Sequence, residues 1–109
     1  QGGWRTGAGR ASIPRMARFL LEVPHGPDSV ECTRAVAILL RTGSHFLTHA
    51  DWGCKDGVHK AWVIVDVDTH EEARNVVPAE YRKAALVVKL NQFELEQMER
   101  YLRQRGVTP

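Results

Sequence analysis

Residues 43–68 read GSHFLTHADWGCKDGVHKAWVIVDVD. Two runs rich in aromatic, β-branched and histidine residues flank Asp56-Gly57, a dipeptide suited to the positive φ angles of a tight hairpin turn. The expected strands are roughly Ser44 to Cys54 and Val58 to Val67. With a two-residue turn, facing positions sum to 113. Cys54 then faces His59, Trp52 faces Ala61, Asp51 faces Trp62, His49 faces Ile64 and Leu47 faces Asp66.

Strand side chains alternate, so this hairpin has two faces. Phe46, Thr48, Ala50 and Trp52 join Ala61, Val63, Val65 and Val67 on an apolar face suited to packing under helices. His45, Leu47, His49 and Asp51 join Lys60, Trp62, Ile64 and Asp66 on the other. That second face mixes aromatic, aliphatic and ionisable groups, as a ligand pocket or a partly wet subunit interface does. A one-residue slip would exchange the faces.

Working outward, Met16 to Val23 reads as a strand, with Phe19, Leu21 and Val23 on one side and Arg18, Leu20 and Glu22 on the other. Pro24 to Pro27 is a loop. Asp28-x-x-Glu31 forms a capping box for a helix ending near Thr42, with Gly43 at its C′ position. Cys32, Ala35, Val36, Leu39 and Leu40 make its apolar stripe. After the hairpin, Thr69-x-x-Glu72 caps a short helix over 70–76, and Pro78 ends it. Another helical turn at 79–82 leads to a strand over Ala84 to Leu90. Asn91-x-x-Glu94 signals a last helix over 92–104, with Leu95, Met98 and Leu102 inward and Gly106 closing it.

The element order is β-α-β-β-α-β plus a helix. The expected fold class is therefore α+β and ferredoxin-like, a four-stranded antiparallel sheet with helices on one face. The helix-free face needs a cover, and in so short a chain a second copy is the expected one. Over residues 16–105 this pattern resembles the dimeric α/β-barrel superfamily, which includes muconolactone isomerases and cofactor-independent monooxygenases. The resemblance implies a sheet-to-sheet homodimer with pockets over the helix-free face.

At 109 residues the chain is long enough for one domain, and its hydrophobic content of 43% and charged content of 26% are ordinary for a globular protein. No run suits a membrane span or a signal-peptide core. Residues 1–15 hold four Gly and three Arg without an acid, and read as a disordered tail or expression leader with Met16 as the natural start. Without the tail, 15 Lys and Arg become 12 against 13 acids, so the net charge of +2 becomes −1. The mild basicity belongs to the tail and gives no reason to expect nucleic-acid binding. Cys32 and Cys54 form no CxxC motif and no disulfide framework, which suits a reducing cytoplasm.

The expected site lies on the helix-free face. His49 and Asp51 are two positions apart on one strand, about 7 Å along the backbone. They can act as an acid–base pair or share a metal ion. Glu22, Trp62, Ile64, Asp66 and Lys89 line the pocket around them. The chain then binds a small molecule or metal. One alternative is catalysis as in an isomerase or monooxygenase, with His49 as base and Asp51 orienting it; the other is a purely structural interface. Cys54 and His59 pair across the hairpin, but two ligands are too few for a structural zinc site. His25 and His70 read as solvated.

Overall fold

The computed structural model describes residues 16–42 and 45–108. The tail at 1–15 and the expected helix stop at Gly43 lie outside the described residues. The elements are β1 (Ala17–Pro24), α1 (Ser29–Arg41), β2 (Asp51–Trp52), β3 (Lys60–Val67), α2 (His70–Val76), α3 (Ala79–Arg82), β4 (Leu86–Lys89) and α4 (Leu95–Gln104). The fold is α+β, with one open antiparallel sheet in the order β2-β3-β1-β4.

β1 and β3 make the central ladder, from Ala17 opposite Val67 to Pro24 opposite Lys60. Their alternation sends Phe19, Leu21, Val23, Ala61, Val63 and Val65 into the core, beneath Leu39 of α1 and Ala73 of α2. The Asp28 carboxylate accepts from the N–H groups of Val30 and Glu31, fixing the start of α1. Thr69 does the same for α2 through the Glu72 N–H. The Arg74 and Arg82 guanidiniums donate to backbone carbonyls around 75–85, tying α2, α3 and the approach to β4 together.

The first hairpin strand differs from expectation. His45–His49 is a 3₁₀ helix, which leaves only Asp51–Trp52 as strand. The register holds where pairing exists: Asp51 faces Trp62 and Trp52 faces Ala61. Upstream, the 3₁₀ winding abolishes the alternation, and Leu47 turns into the core with 1% exposure rather than onto the open face. The turn is also longer than two residues. Cys54–Asp56 forms a 3₁₀ turn, and Gly57 alone takes the left-handed conformation, at φ 81°.

Two further corrections concern the C-terminal third. β4 pairs Leu86 with Glu22, Val88 with Leu20 and Lys89 with Phe19. Leu86 and Val88 therefore lie on the open face, while Val87 and Lys89 share the parity of the core side. α4 begins at Leu95, not Gln92, with Glu94 rather than Asn91 as its N-cap residue. Its end is as expected: Gly106 adopts φ 75° and the Val107 N–H returns to the Leu102 carbonyl, a Schellman closure. Its apolar stripe does not turn inward. Leu95 is 72% exposed, and no residue of α4 is buried.

Candidate metal centre

Three segments end at one place. β1 runs out at Pro24, and the next residue continues the ladder, with the His25 N–H donating to the His59 carbonyl at 3.1 Å. This sets the two imidazoles against each other, centroids 5.6 Å apart and planes at 88°. Across the β2–β3 turn, the Gly53 N–H donates to the Lys60 carbonyl and the Val58 N–H to the Gly53 carbonyl, which holds Cys54 beside the same spot. The first turn of α1 brings Cys32 over it.

The Cys54 Sγ lies 3.2 Å from the His25 Nε2. One ligating atom each from His25, Cys32, Cys54 and His59 falls within 4.8 Å of every other. Zinc bond lengths of about 2.0–2.3 Å put tetrahedral ligands roughly 3.3–3.8 Å apart. Side-chain rotations of about 1 Å would therefore close the four atoms around one ion. The donor set is two imidazoles and two thiols, the Cys₂His₂ set of structural zinc sites.

The electrostatics suit a cation. Burial, and then the neighbouring His59, pull His25 below the ordinary imidazole value, which favours the neutral form that can ligate. Burial and the adjacent Cys32 thiol push the Cys54 thiol up, a cost that a divalent ion on the two sulfurs would offset. The Nδ1 atoms of His25 and His59 are buried without a hydrogen-bond partner among the described residues. Such atoms are costly unless something engages them.

The residues expected on the helix-free face do not belong to this cluster. His49 and Asp51 border a shallow hollow of about 290 Å³ with Leu20, Trp62 and Ile64. Both are exposed, and no hydrogen bond joins them among the described residues. Glu22 accepts from the Trp62 indole N–H at 3.0 Å and from the Lys60 ammonium at 3.3 Å, and these bonds hold its carboxyl below the usual carboxylate range. Asp66 faces Arg18 at 3.8 Å, and with Lys89 it lines a different open hollow toward the start of β1. Ile64 borders both.

His25 thus packs half-buried against Cys54 and His59 rather than standing solvated in a loop, and the Cys54–His59 pair has two further potential ligands beside it. A signal existed in the sequence. Once β1 pairs with β3, positions sum to 84, which sets His25 opposite His59, while the hairpin sum of 113 sets Cys54 opposite the same histidine.

Comparison with protein families, curated proteins and solved structures finds no match. No helix among the described residues is long and apolar enough to cross a membrane.

Proposed function

We propose that the chain is a metal-binding protein that holds a zinc-class ion through His25, Cys32, Cys54 and His59. The convergence of those four ligating atoms within 4.8 Å carries the reading. Four protein ligands fill a tetrahedron and leave no open position for substrate, so the ion acts as a staple rather than a hydrolytic centre. It ties the end of β1, the first turn of α1 and the β2–β3 turn together. A reducing, cytoplasmic setting goes with this role, because both cysteines are free thiols. The test is elemental analysis of purified protein, with cobalt substitution. One zinc per chain and a thiolate-to-cobalt charge-transfer band support it. Neither metal binding at micromolar concentration would sink it.

A second reading concerns the open face. Ile64 and Leu86 are 53% and 51% exposed there, beside Leu20, Trp62 and Val88. So much adjoining apolar surface favours a homodimer. A ferredoxin-like description accompanies it, since each helical crossover skips one strand. The hollow at His49 and Asp51 would then take a small molecule, or support isomerase- or monooxygenase-like acid–base chemistry, at the subunit boundary. Sedimentation equilibrium of wild type and Ile64→Asp tests the dimer; a wild-type monomer removes it. Asp51→Asn tests the hollow: loss of ligand binding with the fold intact supports it, and a wild type that holds no ligand of any sort leaves the face purely structural.

A further inference from the structure

We infer that the four-ligand centre is also a thiol-oxidation site, at which a hydroperoxide joins Cys32 and Cys54 into an intramolecular disulfide and expels the ion. The inference rests on the zinc reading above and adds a reaction to it. Cys32 and Cys54 are the two cysteines of the sequence, so each has one possible partner within the chain. Both are free, half-buried and within 4.8 Å at sulfur.

One hollow reaches the centre from the sulfur side. A hollow of about 470 Å³ opens onto both cysteines, walled by Val36, Ala50 and Trp52. His25 and His59 do not line it, and their Nδ1 atoms have no solvent contact. A small neutral oxidant entering there meets sulfur before nitrogen. Neither sulfur is carried by a paired strand. Cys54 opens a 3₁₀ turn that ends in left-handed Gly57, and Cys32 sits in the first turn of α1. Modest χ1 rotation in both would close the gap to the roughly 2.05 Å of a disulfide.

The steps balance. One thiolate attacks the peroxide: an S–O bond forms, the O–O bond breaks and hydroxide leaves, or alkoxide from an alkyl hydroperoxide. The second thiolate attacks the resulting sulfenic acid: the S–S bond forms, the S–O bond breaks and a second hydroxide leaves. Two sulfurs give up two electrons, one peroxide takes them, and two protons from solvent complete the products. The ion keeps two imidazoles, too few to hold it. Its loss releases His25 and His59 from the centre, while the new disulfide ties α1 directly to the β2–β3 turn.

The test uses the full zinc-loaded chain, titrated with hydrogen peroxide in the presence of a chromogenic zinc indicator. Free thiols and intact mass are followed in parallel. The expected result is one zinc released per peroxide consumed, both thiols lost together, a mass lower by two hydrogens, and reversal by dithiothreitol with added zinc. Retention of zinc and thiols under peroxide that oxidises a free-thiol control overturns the inference and leaves the zinc reading standing. Zinc release with added oxygen on sulfur and no disulfide also overturns it. A chain that holds no zinc at the outset overturns both.

Discussion

The imidazoles of His25 and His59 meet edge to face because their backbones are joined: the His25 N–H donates to the His59 carbonyl at 3.1 Å, one step beyond the Pro24–Lys60 pair. Half of the candidate centre is therefore an extension of the central β-ladder. The sheet fixes the two imidazoles, and a metal ion would have only to gather the sulfurs from a turn and a helix end.

That division predicts how ligand substitutions behave. Cys32→Ser should lower zinc affinity by at least about a hundredfold, because loss of even an outer-sphere partner costs 10–100-fold. The sheet should persist, since the core beneath it is independent of Cys32. Stripping zinc with a chelator should lower the melting temperature of wild type; saturation at a thousand times Kd is worth about 4 kcal/mol. The same chelator should lower the melting temperature of Cys32→Ser by much less. Calorimetry with and without chelator checks both.

Gly53 is required for space. A Cβ there would stand 2.8 Å from the Val58 carbonyl oxygen and 2.9 Å from the Trp62 ring. Gly53→Ala should cost about 1–3 kcal/mol, the usual range for overpacking. It should also weaken zinc binding, because Cys54 follows directly. Denaturant unfolding and a zinc titration on one preparation measure the two effects.

Glu22 gives the chain an acid-sensitive contact. The Trp62 indole and Lys60 ammonium favour its ionised form, so its folded pKa lies below the unfolded value near 4.5. A depressed carboxylate stabilises the fold above the unfolded pKa, and that stabilisation fades as pH falls through the folded one. Glu22→Gln should melt below wild type at pH 7, with the difference shrinking toward pH 3. Melting curves across that range would contradict this if the gap stayed constant.

Leu47 separates the observed 3₁₀ segment from an extended strand. Buried at 1% exposure, it should cost about 2–5 kcal/mol on truncation to Ala. Thr48→Ala should stay within about 0.5 kcal/mol, because that exposed hydroxyl only bonds the His45 carbonyl. Urea midpoints decide it. Equal effects at 47 and 48 would argue against the burial of Leu47.

Much of the architecture was legible, for physical reasons. Asp28 and Thr69 mark helix starts because their side chains take orphan N–H groups. Period-two alternation in 17–24 and 60–67 marks two strands because one face of each is buried. The same rule failed at 45–49. Phe46 and Leu47 are adjacent apolar residues there, so strict alternation is already broken; the chain winds, and Leu47 reaches the core from a 3₁₀ turn. Lys89 was misplaced for a smaller reason: β4 is only four residues long, and its pairing with β1, not its composition, sets its parity. The His25, Cys32, Cys54 and His59 cluster was not read because its residues span 25–59 without a local motif. Two of its contacts follow from strand register, but Cys32 depends on where the first turn of α1 lands, which no sequence spacing encodes.

The 3₁₀ winding of His45–His49 also governs how the molecule behaves in a crowd of its own copies. A full-length strand over 44–54 would present a long row of unpaired N–H and C=O groups along one margin of the sheet. Such a row is a template on which further chains can add and grow into fibres. With β2 cut to Asp51–Trp52, that margin has two strand residues of β2 and then the 3₁₀ segment packed against β3 in place of a strand, and β4 at the opposite margin has four. The irregular segment that defeats pattern reading thus guards the sheet against uncontrolled self-association.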